Sequence, residues 1–209
     1  MQRIFLIPIA LFILLGSSLY TSGCIAPYGF ETGRALGRGK AEVTIDVSSL
    51  RIDNRRERGL LFGVAGRIGL TDKLDMGAVG GGAALPYFFF RQQVVGDHFS
   101  LTALSIGAGA GFTQGRFTDP MVYLHFPLYY SMHSKELAWY LTPQYSVFFL
   151  TKGNNRLASV LSISTGIEYS FSSSIALGLN IGFAKPLDNS GNLLSPFTSG
   201  IGVKFRFNN

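Results

Sequence analysis

Three histidines, His98, His125 and His133, are the residues from which an enzyme would have to be built. Hydrolase or acyltransferase chemistry needs one of them within hydrogen-bond reach of a serine, with an acid to orient the imidazole. Serines are plentiful, but none stands in a G-x-S-x-G setting. Metal ligation has no support either, because no His, Cys or carboxylate cluster has ligand spacing. Gly37 and Gly39 before Lys40 suggest a phosphate loop, but the Walker spacing is absent and Ala41 stands where Ser or Thr is required. No cofactor is implied. Charge is the remaining chemistry: Glu42, Arg67, Asp75, Glu136, Glu168, Lys204 and Arg206. Enclosed together, such groups must pair, since an isolated buried charge is very costly. The plain outcome is a salt-bridged plug; the sharper one is a proton or ion path, which requires a partly open interior.

The elements that would enclose them are strands. Lys40 to Leu50 sets Val43, Ile45 and Val47 on one face and Glu42, Thr44, Asp46 and Ser48 on the other. Gly59 to Leu70 groups Phe62, Val64, Ile68 and Leu70 opposite Gly63, Ala65 and Arg67. Turns at 71–73, 132–136 and 172–174 separate further runs. The pattern predicts ten strands at about 40–50, 59–70, 74–81, 84–94, 99–112, 120–131, 136–150, 157–171, 174–184 and 197–207. YFFFRQQVV and LTALSIGAGAGF alternate poorly, so an eight-strand reading of that region is the alternative. Strand parity turns the seven charges and His125 inward. Glu42 opposite Lys204 or Arg206 is a natural pair if the first and last strands meet on closure.

Both ends of the chain point to one compartment. Thr198 to Asn208 reads TSGIGVKFRFN, with Gly202 followed three and five residues later by Phe205 and Phe207. This resembles the C-terminal signal by which bacterial outer-membrane β-barrels are recognised by their assembly machinery. At the front, Arg3 precedes an apolar run, Ile4 to Leu15, and Gly16 to Gly23 is small and polar, the layout of an export signal over 1–23. A membrane-spanning helix would need about 20 apolar residues. The only cysteine, Cys24, follows Thr21-Ser22-Gly23, which resembles a lipoprotein cleavage box with Cys24 as the acylated residue. The other reading is an ordinary signal peptide with an incidental cysteine. Residues 24–39 are Gly-rich and irregular, an expected periplasmic tether, and TGRALGRGKAEV resembles the lead-in to the first strand of small outer-membrane barrels.

Composition agrees: among 209 residues only 14% are charged, with 26 Gly and 18 Phe. The +6 net charge has no compact footprint, which argues against nucleic acid. Arg51, Arg55, Arg56 and Arg58 form a solvated loop, with anionic lipopolysaccharide as the sharper option. Aromatics fall in two groups on the apolar face: Tyr130, Trp139, Tyr169, Phe171, Phe205 and Phe207 near one end, Phe62, Phe149, Phe183 and Phe197 near the other. Two girdles are the signature of a membrane slab. The resemblance to small bacterial outer-membrane β-barrels covers about Gly37 to Phe207. It implies a closed antiparallel up-and-down transmembrane β-barrel over 40–209, both mature ends in the periplasm, and membrane lipids, lipopolysaccharide and the barrel-assembly machinery as partners. The leading functional expectation is a non-enzymatic envelope-structural or surface-contact protein with a narrow polar lumen. A small-solute or apolar-molecule transporter is the alternative, and a lipid-modifying enzyme built on a histidine is the third. Phe112, Gln114, Phe117 and Tyr123, and separately Leu187, Leu193 and Leu194, are candidate loop contacts.

Overall fold

In the computed structural model, which describes residues 29–52, 58–81, 86–97, 99–113, 121–150, 157–187 and 196–207, the alternating segments close into one ring of ten strands. These are β1 (Ala41–Ile52), β2 (Arg58–Gly69), β3 (Leu74–Gly81), β4 (Tyr87–Val95), β5 (Thr102–Thr113), β6 (Met121–Ser134), β7 (Leu137–Leu150), β8 (Leu157–Ser170), β9 (Ile175–Pro186) and β10 (Pro196–Phe207). Every strand pairs antiparallel with its neighbours in sequence. β1 closes against β10, from Ala41 opposite Phe207 to Ile52 opposite Pro196. The ten-strand expectation holds and the eight-strand alternative does not.

Closure without an edge satisfies every strand's backbone groups within the ring. The side chains then divide by parity. Ile45, Phe62, Phe88, Phe90, Ile106, Leu161, Ile181 and Ile201 point outward and are exposed, while Glu42, Thr44, Ser105, Ser162, Ser164 and Asn180 point inward and are buried. Both expected aromatic groups lie on the outer face: Trp139, Tyr169, Phe205 and Phe207 near one end, Phe149, Phe183 and Phe197 near the other.

β4 alternates in burial but not in hydropathy. Phe88 and Phe90 face out, while Tyr87 and Phe89 between them are buried inside. The interior accepts those rings because glycines face them: Gly77 and Gly109 flank Phe89 on β3 and β5. A Cβ on Gly77 would stand 2.6 Å from Phe89 Cζ. Hydropathy therefore carries no parity in β4; only the sheet does.

Short turns join strands at one end. Leu70 N donates to Leu74 O at 2.8 Å, and Thr71 Oγ1 accepts from Lys73 N and Leu74 N. Ser172 Oγ does the same for Ser174 N and Ile175 N. Asp97 Oδ1 accepts from Phe99 N and Ser100 N at 2.8 Å. We call this the turn end and the other the loop end. Residues 53–57, 82–85, 114–120, 151–156 and 188–195 lie outside the described residues, as do residues 1–28, which carry the expected export signal and Cys24.

Residues 29–39 correct the expected tether. They are irregular, as expected, but they do not hang free: Phe30, Glu31, Thr32, Ala35 and Leu36 are buried. From Lys40 the chain crosses the turn end, where Gly39 N donates to Gly69 O. It then enters the barrel until Gly29 O accepts from Asn180 Nδ2 at 2.7 Å, midway along β9. Phe30 reaches this depth because Gly178, Gly200 and Gly202 leave its ring room. Nothing in the periodicity announces such a segment, because it takes its hydrogen bonds from inward side chains and not from a ladder.

Candidate functional site: a charge-paired lumen

Strand parity delivers most of the expected charges to one place, the turn half of the lumen. Glu42 on β1 accepts from Arg67 on β2, Nε at 2.9 Å, and from Arg206 on β10, Nε at 2.9 Å. Lys204 Nζ lies 2.7 Å from Glu168 Oε2 on β8, and Arg206 Nη2 also reaches Glu168. The cross-strand pairing of Glu42 with Arg206 is the one closure predicts; Lys204 is more distant, 3.7 Å from Glu42. Asp75 on β3 joins through Arg67 at 3.4 Å.

Two members come from places the sequence did not reveal. Glu31, in the inserted segment, pairs with Arg67 at 3.3 Å and Arg91 at 3.0 Å. Arg91, on β4, also pairs with Asp75, and its guanidinium carbon Cζ lies 5.3 Å from the Tyr129 ring centroid. A signal for Arg91 exists: an arginine in mid-strand facing lipid is penalised, so it had to face inward. The set is balanced, with Glu31, Glu42, Asp75 and Glu168 against Arg67, Arg91, Lys204 and Arg206. All but Arg206 are almost wholly buried. Neutrality of the group is what lets so many charges stay out of water.

The inserted segment is fixed by polar side chains of the wall. Ala35 N donates to Gln93 Oε1 at 2.8 Å, Leu36 N to Asp75 Oδ1 at 3.2 Å, and Gly33 N to Ser131 Oγ at 2.9 Å. Ser105 Oγ donates to Gly33 O, and Arg91 donates to Thr32 O at 2.7 Å and Arg34 O at 2.9 Å. Each backbone group so held is one that would otherwise be buried without a partner.

Glu136 is a correction. It lies exposed in the turn between β6 and β7, where its carbonyl accepts from Ser170 N at 2.7 Å. Parity is a property of strands, and β7 begins one residue later. Asp46, by contrast, is buried outside the network: Oδ1 accepts from Ser48 Oγ at 2.8 Å and Oδ2 has no hydrogen-bond partner. Gly202 turns inward against Phe30, while Phe205 and Phe207 face outward.

The loop half of the lumen is filled differently. Tyr87, Phe89, Met121, Tyr123 and Phe148 meet Ala158, Val160 and Ala184 of β8 and β9 in one buried cluster with Phe30. Tyr123 and Phe148 stack at 5.4 Å, and Tyr123 donates its hydroxyl to Pro86 O at 2.6 Å. Tyr123 is therefore a lumen residue and not the loop contact expected of it. Phe112 and Leu187 are exposed; Gln114, Phe117, Leu193 and Leu194 lie outside the described residues.

The histidines each meet a serine. His125 Nδ1 is 2.9 Å from Ser146 Oγ, deep among aromatics with Tyr87 4.8 Å away. His133 Nε2 is 2.7 Å from Ser131 Oγ, which already holds Gly33 N. Neither imidazole has a hydrogen bond or ion pair to a carboxylate among the described residues, so the orienting acid of a triad has no counterpart at either pair. His98 lies outside the described residues.

No family model matches the sequence, and no curated protein matches it. Among solved structures it is similar to the N-terminal β-barrel domain of Pseudomonas aeruginosa OprF, at 13% identity over 82% of this chain and 99% of that one, TM-score 0.41. It is also similar to the Yersinia pestis outer membrane protein Ail in a phospholipid nanodisc, at 12% identity over 81% and 100%, TM-score 0.42. A third is Neisserial surface protein A, at 11% identity over 80% and 96%, TM-score 0.41. None of these likenesses assigns a family or an activity to this chain.

Proposed function

We propose that this chain is a non-enzymatic outer-membrane β-barrel, closed to solutes, with an envelope-structural or surface-contact role. The observation that carries this reading is the lumen: four buried carboxylates paired with four cations around an inserted N-terminal segment, capped by an aromatic cluster. The outer face supports the membrane. Contiguous exposed Ile, Leu and Phe between two aromatic bands would be a liability in water and are what a bilayer requires. In this reading the turn end faces the periplasm, and so do both ends of the barrel sequence. Gly202, Phe205 and Phe207 serve recognition by the assembly machinery. Cys24 is the acylation site, and lipid and lipopolysaccharide surround the outer face.

Planar-bilayer recording on refolded, heat-modifiable protein tests the function. The expected result is no stable conductance at any salt concentration. Reproducible salt-dependent steps would mean that neither the charged half nor the aromatic cluster seals the lumen, and would put transport first.

A further inference from the structure

The turn end carries a cleft that the lumen network does not use. About 670 Å³ of space opens there between the inserted segment and the turns of β6–β7 and β8–β9. Its charged lining falls into two sets. Arg67, Arg206 and Glu168 belong to the balanced network. Arg34, Lys40 and Lys135 form no ion pair within 4 Å among the described residues, and Glu136 is the one unpaired carboxylate facing them in the lining. Asp97, in a neighbouring turn, acts on Arg34 from beyond ion-pair distance.

Three details make this more than loose surface charge. Arg34 gives Nη2 to Ser100 O at 2.5 Å, yet its Nε is buried without an acceptor. A buried donor is rarely left so. Lys135 holds φ at +41°, in the left-handed region that Gly or Asn occupies with less strain. A strained lysine stands at the lip of the cleft where an unstrained residue would make the same turn. Ser170 Oγ accepts from Arg206 at 3.1 Å, and Ser172 Oγ accepts from two backbone amides. Neither hydroxyl donates a hydrogen bond among the described residues, which leaves both protons to donate into the cleft.

We propose that this cleft binds a phosphate group, held by Arg34, Lys40 and Lys135 with Ser170 and Ser172 as hydroxyl donors. A tetrahedral oxyanion offers many acceptors to converging N–H and O–H donors, and charge-assisted bonds of this kind are the strong ones. The phosphate is supplied either by a soluble phosphate ester or by a lipid headgroup at the barrel rim. The site stands whether or not the lumen conducts.

The test is protection of lysines from amine acylation in the full chain, read residue by residue by mass spectrometry. One arm titrates inorganic pyrophosphate into protein in dodecyl maltoside. The other raises phosphatidylglycerol in phosphatidylcholine nanodiscs. Lys40 and Lys135 are expected to become saturably protected, while Lys73, exposed at the same end but outside the cleft, and Lys185 are not. Arg34→Ala should weaken the apparent affinity at least ~10-fold, as loss of a charge-assisted contact does. Lys135→Asn relieves the backbone strain, so it folds, and should weaken binding similarly. Protection in the first arm establishes a soluble phosphate ligand; protection in the second arm alone establishes a headgroup on the same residues. No protection in either arm, equal protection of Lys73, or indifference to both substitutions overturns the proposal.

Discussion

The two halves of the lumen are closed by different physics. At the turn end, Arg91, Arg67, Lys204 and Arg206 hold Glu31, Asp75, Glu42 and Glu168, and each group is tolerable only because its partners are present. At the loop end, Tyr87, Phe89, Tyr123 and Phe148 close the same bore by volume. The first half demands an account of every charge, the second only of space. The two seals share the inserted segment, since Phe30 joins the aromatic cluster and Glu31 the charge network, but the rings of the wall itself remain in place when that segment is lost.

The largest expected effect comes from breaking both. Deleting residues 29–36 should leave the protein silent in planar bilayers, because the aromatic half still fills the bore. Adding Tyr123→Ala and Phe148→Ala to that deletion should produce stable steps of conductance. Conductance from the deletion alone would show that the aromatic cluster does not seal.

Single substitutions sharpen the contrast. Arg91→Ala strands Asp75 and Glu31 beside Arg67 and removes donors from Thr32 O and Arg34 O. Removing one partner of a buried ion pair costs about 3–5 kcal/mol. The loss should appear as a lower urea midpoint in lipid vesicles, followed by the fluorescence of the chain's one tryptophan, Trp139. Phe148→Ala is a volume change, expected near 3 kcal/mol by cavity formation. Phe148→Leu should recover most of that, whereas Arg91→Lys should recover little, because Lys lacks the fork that reaches Glu31 and Asp75 together. Equal rescue at both sites would erase the distinction between the halves.

How far the sequence discloses this arrangement follows the same division. Where polar and apolar residues alternate, as in β1 and β8 to β10, parity places Glu42, Glu168, Lys204 and Arg206 correctly. In β4 both faces are aromatic, so Arg91 is hidden among Phe residues although its charge alone argues for the lumen. Glu31 is hidden more deeply. The segment that carries it has no period, and its depth is set by glycines on β9 and β10 that a strand pattern shows only as small residues. Tyr123 is ambiguous in the sequence, because its aromatic character suits a surface as well as a filled bore.

Glu136 offers the smallest effect and the sharpest control. One residue from the start of β7, it shares its parity with Ala138 and Tyr140, which are buried, yet it is exposed in the turn. Glu136→Gln removes an exposed charge that makes no ion pair within 4 Å among the described residues, so its effect on the urea midpoint should be within about 0.5 kcal/mol. Glu168→Gln, by contrast, takes the same charge from Lys204 and Arg206 in the lumen and should destabilise the barrel measurably. The same Glu136→Gln protein should show tighter pyrophosphate protection of Lys40 and Lys135, because the substitution removes the unpaired carboxylate facing those cations. A Glu136→Gln barrel as unstable as Glu168→Gln would place Glu136 inside the network after all.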